Sequence, residues 1–568
     1  MLVLGIHDGT HDAGAALVRD GRLCFAANEE RFTRHKGAGG WPTRAIAACF
    51  DGTEVRPEDI DAVAFAGLVN PNPVLRALRP AQRRFQLDEG WFYSEEDSVR
   101  SRLAAWAQFE SPFPFLRSDA SAGRLLGAAL RPLLSRRVHA AGVTAPVTLH
   151  DHHDCHAASA AFTCGYNRAL VVVADGLGDG LALTVHQLEA GQLRRVAAMA
   201  YPHSYGLLYA TLTGFLGFRP FRHEGKMVGL AALGDPNAVD LPFPFEGPPE
   251  DRHFTERFGA RLRPWLDQLR RYSREDVCAW LQSGLEHELE GILRYWVART
   301  GVRRVALSGG VTANVRLNQR LARHVDALFV HPHMGDGGLA SGAALLSWAR
   351  TGPHPPPPRL PHAFLGPSYT TTGIEAALAG SGLRYRRVQD LEEQVADRLH
   401  AGHIVARFDG PMEYGPRALG NRSILAAATD HRMTDRLNVA LSRSDFMPFA
   451  PLLLADQAAA WVDDLDAVRD AAAFMTVTVQ ARPPLRDACP AAVHTDGSLR
   501  PQLVDAQHTG WLYRMLTAYS RRSGVPALIN TSFNLHEEPI VCTPADAIAT
   551  WRRARIDALA IGPYLVTA

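Results

Sequence analysis

"LVLGIHDGTHDAGAALVRDGRLCFA", residues 2–26, and "ALVVVADGLGDGLALTVHQLEAGQL", residues 169–193, follow one grammar. Each runs as a short apolar strand, an Asp-Gly turn, a second strand, a Gly turn and a third strand. A pattern repeated in this way is the trace of a duplicated domain. Two similar halves facing each other enclose a cleft. A third segment, "VRRVALSGGVTANVRLNQRLARH" at 302–324, predicts a strand, a Gly309-Gly310 turn and a helix opening near Thr312. Glycines there let backbone N–H groups approach a phosphate at the positive end of a helix. Gly309, Gly310 and Asn314 are therefore candidate nucleotide contacts.

The chain of 568 residues is long enough for two or more domains, and its 60 Lys+Arg balance 59 Asp+Glu. Such balance gives no global attraction to nucleic acid or to an anionic membrane surface. The seven cysteines, at 24, 49, 155, 164, 278, 489 and 542, contain no CxxC pair, which argues against a disulfide framework and a cysteine-rich zinc site. The first residues lack a basic, apolar leader and no later run is long enough to span a bilayer, so a cytoplasmic protein is expected. Lysine occurs only at Lys36 and Lys226 in a chain rich in arginine.

Between the two hairpin repeats lies "TLHDHHDCHAASAAFTCG", residues 148–165. If Asp151 caps a helix through the alanines and Gly165 closes it, His152 and His156 stand at i and i+4 on one face, where one metal ion can take both imidazoles. His153, at i, i+3 from His156, is the alternative ligand or a donor to one. His11 sits at the predicted tip of the first hairpin, facing the same cleft. There it is a candidate to take the proton of an attacking hydroxyl or to orient a carbonyl group. After "GDGGLASGAALLSWARTG" a proline-rich linker, 353–363, separates residues 1–352 from a second α/β region, 364–568. In that region Arg417, Arg422, Arg443 and Arg500 flank glycine, proline or polar turn residues, a placement that suits anion binding.

The segments "HDAGAAL", "EERFTRHK", "HHDCHAASA", "YGLLYATLTGFLGF", "HEGKMVGLAALG", "SGGVTANVRLN", "GDGGLASGAA", "GPRALGNRSIL", "DGSLRPQ" and "NTSFN" occur in this order along nearly the whole chain. In this the sequence resembles the O-carbamoyltransferases of nodulation-factor and antibiotic biosynthesis. The resemblance implies a mixed α/β protein: a duplicated actin-like ATPase domain over 1–352, and a YrdC-like twisted-sheet α/β domain over 364–568. Both lysines fall inside the shared segments. It further implies that His152 and His156 join Asp175 and Asp336 around a divalent ion, iron(II) by preference. Lys226, whose ammonium could neutralise phosphate charge beside the nucleotide, joins His11 as a candidate catalytic residue. Arg417, Arg443 and Arg500, with Asn530 and Ser532, are implied in holding carbamoyl phosphate and ATP, the latter with Mg2+.

The activity so implied is transfer of a carbamoyl group from carbamoyl phosphate, through carbamoyl adenylate, to a hydroxyl of a small natural product. It needs neither nucleic acid nor membrane and leaves room for a homodimer. Two other readings share the fold. A tRNA threonylcarbamoyl transferase-like enzyme needs a basic tRNA-binding surface. A non-catalytic, nucleotide-binding regulator has no use for two histidines and two aspartates converging. The chain departs from the family at "LSRSDFMPFAP", 441–451, where Leu441 and Met447 replace basic residues and Ser444 an acid. The aromatic-rich stretch 87–119 lies outside the shared segments and is a candidate to shape the acceptor pocket.

Overall fold

The computed structural model describes residues 1–69, 121–352, 354–355, 357–443 and 449–567. The aromatic-rich stretch 87–119, part of the proline-rich linker, Ser444 and Met447 lie outside the described residues.

Strands β1 (Leu2–His7), β2 (Gly14–Arg19), β3 (Arg22–Asn28), β4 (Ala62–Ala66) and β5 (Val147–His150) form a sheet in the order β3-β2-β1-β4-β5. The first three are joined by antiparallel hairpins, and β4 and β5 add on in parallel. Asp20 and Gly21 both adopt positive φ in the β2–β3 turn, the geometry that makes Asp-Gly a hairpin signal.

The same topology recurs in β6 (Arg168–Gly178), β7 (Leu181–Glu189), β8 (Gln192–Ala200), β11 (Arg304–Ser308) and β12 (Ala327–Val330), ordered β8-β7-β6-β11-β12. β9 (Phe245–Glu246) and β10 (His253–Phe254) form a small ribbon between them. The duplication read from the two hairpins thus extends to whole sheets. One difference matters: β6 slips register against β7 between Ala174 and Gly178. Bulges of this kind re-aim side chains beside sites, and Asp175 lies inside this one.

Five helices carry the site: α1 (His152–Ala161), α2 (Tyr205–Phe215), α3 (Glu224–Ala231), α4 (Val315–Ala322) and α5 (Leu339–Ala349). α1 follows the fifth strand of the first sheet and α5 the fifth strand of the second, so they are equivalents, and they pack on each other. Both are buried almost all round, as expected of helices without a polar face. Their small residues set how closely they meet. A β-carbon on Gly342 would stand 1.9 Å from the carbonyl oxygen of Cys155. Gly342→Ala should therefore destabilise the protein by about 1–3 kcal/mol through overpacking, seen as a lower midpoint in thermal or denaturant unfolding. An unchanged midpoint would mean that α1 and α5 part easily.

The last part of the chain builds an eight-stranded mixed sheet in the order β13-β22-β21-β14-β15-β20-β16-β19. Its strands are β13 (Tyr385–Arg387), β14 (Val405–Phe408), β15 (Arg422–Ala426), β16 (Ala450–Leu454), β19 (Gln502–Val504), β20 (Ala527–Ser532), β21 (Ala558–Ile561) and β22 (Tyr564–Thr567). β17 (Val479–Gln480) and β18 (Ser498–Leu499) pair separately. This part is tied to the first two sheets by buried hydrogen bonds. Tyr414 donates to the Gly337 carbonyl at 2.7 Å, Arg31 to Gly415 at 2.8 Å and Asn318 to Thr476 at 2.8 Å. All seven cysteines are unpaired. Among the described residues no helix is long and apolar enough to cross a membrane.

Candidate functional site

Asp151 caps α1 by accepting from the Asp154 N–H at 2.8 Å. Arg195 bridges Asp151 and Asp154, and Asp179 accepts the His152 N–H at 2.8 Å. With its first turn fixed, α1 presents His152 and His156 on one face, their rings 4.9 Å apart. Gly178 makes room for them: a β-carbon there would lie 2.1 Å from the His152 ring.

Across the cleft, the bulged β6 supplies Asp175, and the turn before α5 supplies Asp336. His152 Nε2 stands 3.3 Å from Asp175 Oδ2 and 3.5 Å from Asp336 Oδ1, and His156 Nε2 stands 3.3 Å from Asp336 Oδ1. One donor atom from each of the four lies within 4.8 Å of all the others.

This set fits a metal ion. Donors bound about 2.0–2.2 Å from a shared ion stand roughly 3.0–3.5 Å from each other, and the three imidazole–carboxylate pairs here stand 3.3, 3.5 and 3.3 Å apart. All four imidazole nitrogens of His152 and His156 are buried without a hydrogen-bond partner among the described residues, an arrangement that asks for an explanation. Burial disfavours a proton on His152, yet Asp336 and Asp175 outweigh it and hold its pKa well above the usual histidine value. The carboxylates therefore demand positive charge, which a divalent ion would supply while displacing protons. Two imidazoles with two carboxylates suit iron(II), manganese or zinc.

His153 points elsewhere. Its Nδ1 pairs with Thr184 Oγ1 at 3.3 Å and its Nε2 with the Leu181 carbonyl at 3.1 Å, both on β7. His11 does face the cluster, 3.1 Å from Asp12 and with Nε2 3.6 Å from Asp336 Oδ2. His7, which the sequence analysis does not single out, also lies at the end of β1. It is 2% exposed, with neither ring nitrogen partnered among the described residues. Burial pushes its pKa down to about 4, and the charges of Asp336 and His152 also act on it. The repeat carries no signal for it, because matching "IHDG" to "VADG" pairs Asp8 with Asp175 and His7 with Ala174.

The glycine turn after β11 reaches the same cluster. Gly310 N–H donates to Asp175 Oδ1 at 2.8 Å. Gly309 has φ 91°, and a β-carbon there would lie 2.3 Å from the Ala174 carbonyl. The helix expected near Thr312 instead begins at Val315. A 3-10 turn spans Gly310–Ala313, and Asn314 caps α4 by accepting from Leu317 N–H at 3.1 Å. The Asn314 amide also donates to Gln282 at 2.8 Å, so this side chain serves the local fold. Lys226 is half-buried on α3 near His223, whose Nε2 is 3.4 Å from Glu537. Lys36 feels the charge of the same glutamate.

Beside the last sheet, three loop arginines come close enough for the charges of Arg417 and Arg443 to act on Arg500. Burial lowers the Arg500 pKa well below the usual value, and the charges of Arg417 and Arg443 lower it further. Burial pushes Arg417 down to about 10. The Nε of Arg417 and of Arg500 is buried without a partner among the described residues. Arg443 donates to Thr531 at 3.0 Å and Ser532 at 3.2 Å. Asn530 donates to the Ala418 carbonyl at 3.0 Å and to Gln502 at 2.7 Å, and so braces the loop that carries Arg417.

Arg422 does not join them. It is fully buried, stacked 3.8 Å over Phe408, and donates to the backbone carbonyls of Asp409, Gly410, Asn421 and Pro367. Leu441 is likewise a core residue, with no exposed surface. A cavity of about 50 Å3 connects Arg500 and Phe449 with Val228 of α3 and Val315 of α4.

The carbamoyltransferase N-terminus family profile matches residues 2–241 and 253–345, and the carbamoyltransferase C-terminus profile matches 396–568. Nodulation protein NolNO of Sinorhizobium fredii is 31% identical over 571 residues, covering 98% of this chain and 79% of that protein. Nodulation protein NolO of Bradyrhizobium diazoefficiens is 33% identical over 431 residues, covering 73% and 78%. Among solved structures, HypF of T. kodakarensis aligns with a TM-score of 0.38 at 13% identity, covering 62% of this chain and 47% of that one.

Proposed function

Because the chain belongs to the carbamoyltransferase family through both its N- and C-terminal parts, we propose that it is an ATP-dependent O-carbamoyltransferase acting on a hydroxylated natural product. Residues 364–568 form the activation domain in this reading, and residues 1–352 the transfer domain. The observation that carries it is a pair of sites in one chain: three converging guanidiniums and a cluster of two His and two Asp.

In the first site Arg417, Arg443 and Arg500, with Ser532, hold carbamoyl phosphate and the triphosphate of Mg2+-bound ATP through charge-assisted bonds. Overall, carbamoyl phosphate, ATP and water give carbamoyl adenylate, phosphate and pyrophosphate. A carbamate oxygen bonds to the α-phosphorus as the bond to pyrophosphate breaks. The anhydride then reaches the transfer cleft without meeting bulk water.

His152, His156, Asp175 and Asp336 are the residues that would hold a divalent ion, iron(II) in the family's preference, and its contribution when bound is Lewis acidity toward the carbamoyl oxygen. Gly309 and Gly310 bring backbone close to the adenylate, and Lys226 offers an ammonium to phosphate. His11, held by Asp12 and facing Asp336, handles the proton lost by the acceptor hydroxyl. The acceptor oxygen bonds to the carbamoyl carbon and AMP leaves.

The test is mass spectrometry of reactions containing carbamoyl phosphate, ATP and a panel of hydroxylated natural products. AMP, pyrophosphate and an acceptor heavier by one carbamoyl group are expected. Absence of AMP and pyrophosphate would overturn the reading.

A further inference from the structure

The loop joining α2 to α3 carries an oddity that the mechanism above does not use. Phe221 has φ 62°, a left-handed conformation in which a bulky side chain is a genuine outlier. Its side chain is also 44% exposed, one of five exposed large apolar side chains among the described residues. Glycine or asparagine would relieve the backbone, and a polar residue would suit the exposure. One residue thus bears two local costs, without the core burial that would offset them.

Strain of this sort persists where surrounding structure fixes it, and it gathers at functional sites. Here the surroundings do fix it. The Phe221 N–H donates to Glu224, the Arg222 guanidinium donates to the Lys36 carbonyl at 2.9 Å, and Arg219 and His223 both reach Glu537 at 3.4 Å. The loop is thereby pinned between the first hairpin region and the last part of the chain.

Where the ring is held decides its use. Phe221 stacks on His11, with centroids 6.4 Å apart and planes inclined by 26°. His11 in turn has Nε2 3.6 Å from Asp336. The layers therefore run from the His152–His156–Asp336 cluster through His11 to an aromatic ring that meets solvent.

We propose that Phe221 is an acceptor-binding residue, a platform that receives a flat apolar face lying next to the acceptor's reactive hydroxyl. The substrate class is a ring-bearing alcohol, aromatic or alicyclic, with its hydroxyl within about one ring's reach of that face. This rests on the reading of the His152–His156 cleft as the transfer site.

Full-length wild type, Phe221→Gly and Phe221→Trp are compared with benzyl alcohol as probe and glycerol as control. Binding is read by saturation-transfer NMR and its concentration dependence. Benzyl alcohol should bind wild type and Phe221→Trp, and bind Phe221→Gly about 2- to 10-fold more weakly, the range expected for loss of one aromatic contact. Glycerol should not distinguish the three. The Phe221→Gly melting midpoint should equal or exceed that of wild type, because the left-handed backbone is then unstrained. Equal binding of benzyl alcohol to wild type and Phe221→Gly, or a lower midpoint for Phe221→Gly, would overturn the proposal and make the ring a packing residue.

Pyrophosphate release from carbamoyl phosphate and ATP, measured in the wild-type protein, separates this failure from failure of the transferase reading. Its absence from wild type would remove the transferase reading, and with it the acceptor role, whatever the probe does.

Discussion

Replacing both His152 and His156 by alanine should abolish carbamoyl transfer and bound metal, while pyrophosphate release from carbamoyl phosphate and ATP stays within about twofold of wild type. The two imidazoles are half of the four-residue donor set, and Lewis-acid assistance is worth several kcal/mol, so transfer should fall at least about a thousandfold. Activation is spared because its guanidiniums lie in the eight-stranded sheet region and share none of these side chains. The double variant also removes two of the groups that face Asp175 and Asp336. Breaking buried pairs of this kind costs about 3–5 kcal/mol, so its folding should be checked by circular dichroism. His156→Gln, which keeps polar volume, provides the same comparison with less risk to the fold. Loss of pyrophosphate release in a folded variant would show that the two sites do not work separately.

Arg500→Met should produce the opposite division, with activation impaired and metal content unchanged. A charge-assisted hydrogen bond contributes about 1.5–3 kcal/mol, so activation should fall roughly 10- to 100-fold, chiefly as weaker use of carbamoyl phosphate or ATP. The unliganded protein should at the same time become more stable. Arg500 is half-buried, its buried Nε lacks a partner among the described residues, and the charges of Arg417 and Arg443 press on it. An apolar side chain of similar length removes that repulsion. A raised melting midpoint together with weakened activation is the signature of a site that holds charge for a ligand at the expense of the fold. Unchanged activation kinetics would return Arg500 to the many arginines with no substrate role.

Several features of both sites are local and therefore legible before folding. Strand alternation and Asp-Gly turns announce the repeated hairpins, because a two-residue turn of left-handed backbone depends on only those residues. The start of α1 is equally local: Asp151 caps it, and an i, i+4 spacing puts His152 and His156 on one face whatever surrounds the helix. Placing the next helix near Thr312 missed its start because Asn314, two residues further on, competes as a cap, and the intervening residues tighten into a 3-10 turn.

Other choices belong to partners far away in the chain. His152 and His153 differ by about 100° around the helix, and α1 alone has no preference between them. β7 makes the choice by offering Thr184 and the Leu181 carbonyl to His153, which leaves His152 to the cleft. Among the arginines, all flanked by similar turn residues, Arg422 is absorbed by backbone carbonyls and Phe408, whereas Arg417, Arg443 and Arg500 meet. The sequence by itself determined the repeated strand pattern, the capped helix and its histidine pair, since each depends on residues within a few turns of one another. Only the tertiary structure decided which histidine faces Asp175 and Asp336, and which guanidiniums come close enough to act on one another's charge. Those outcomes depend on donors and acceptors brought together by packing between separate elements of the chain, where no local preference reaches.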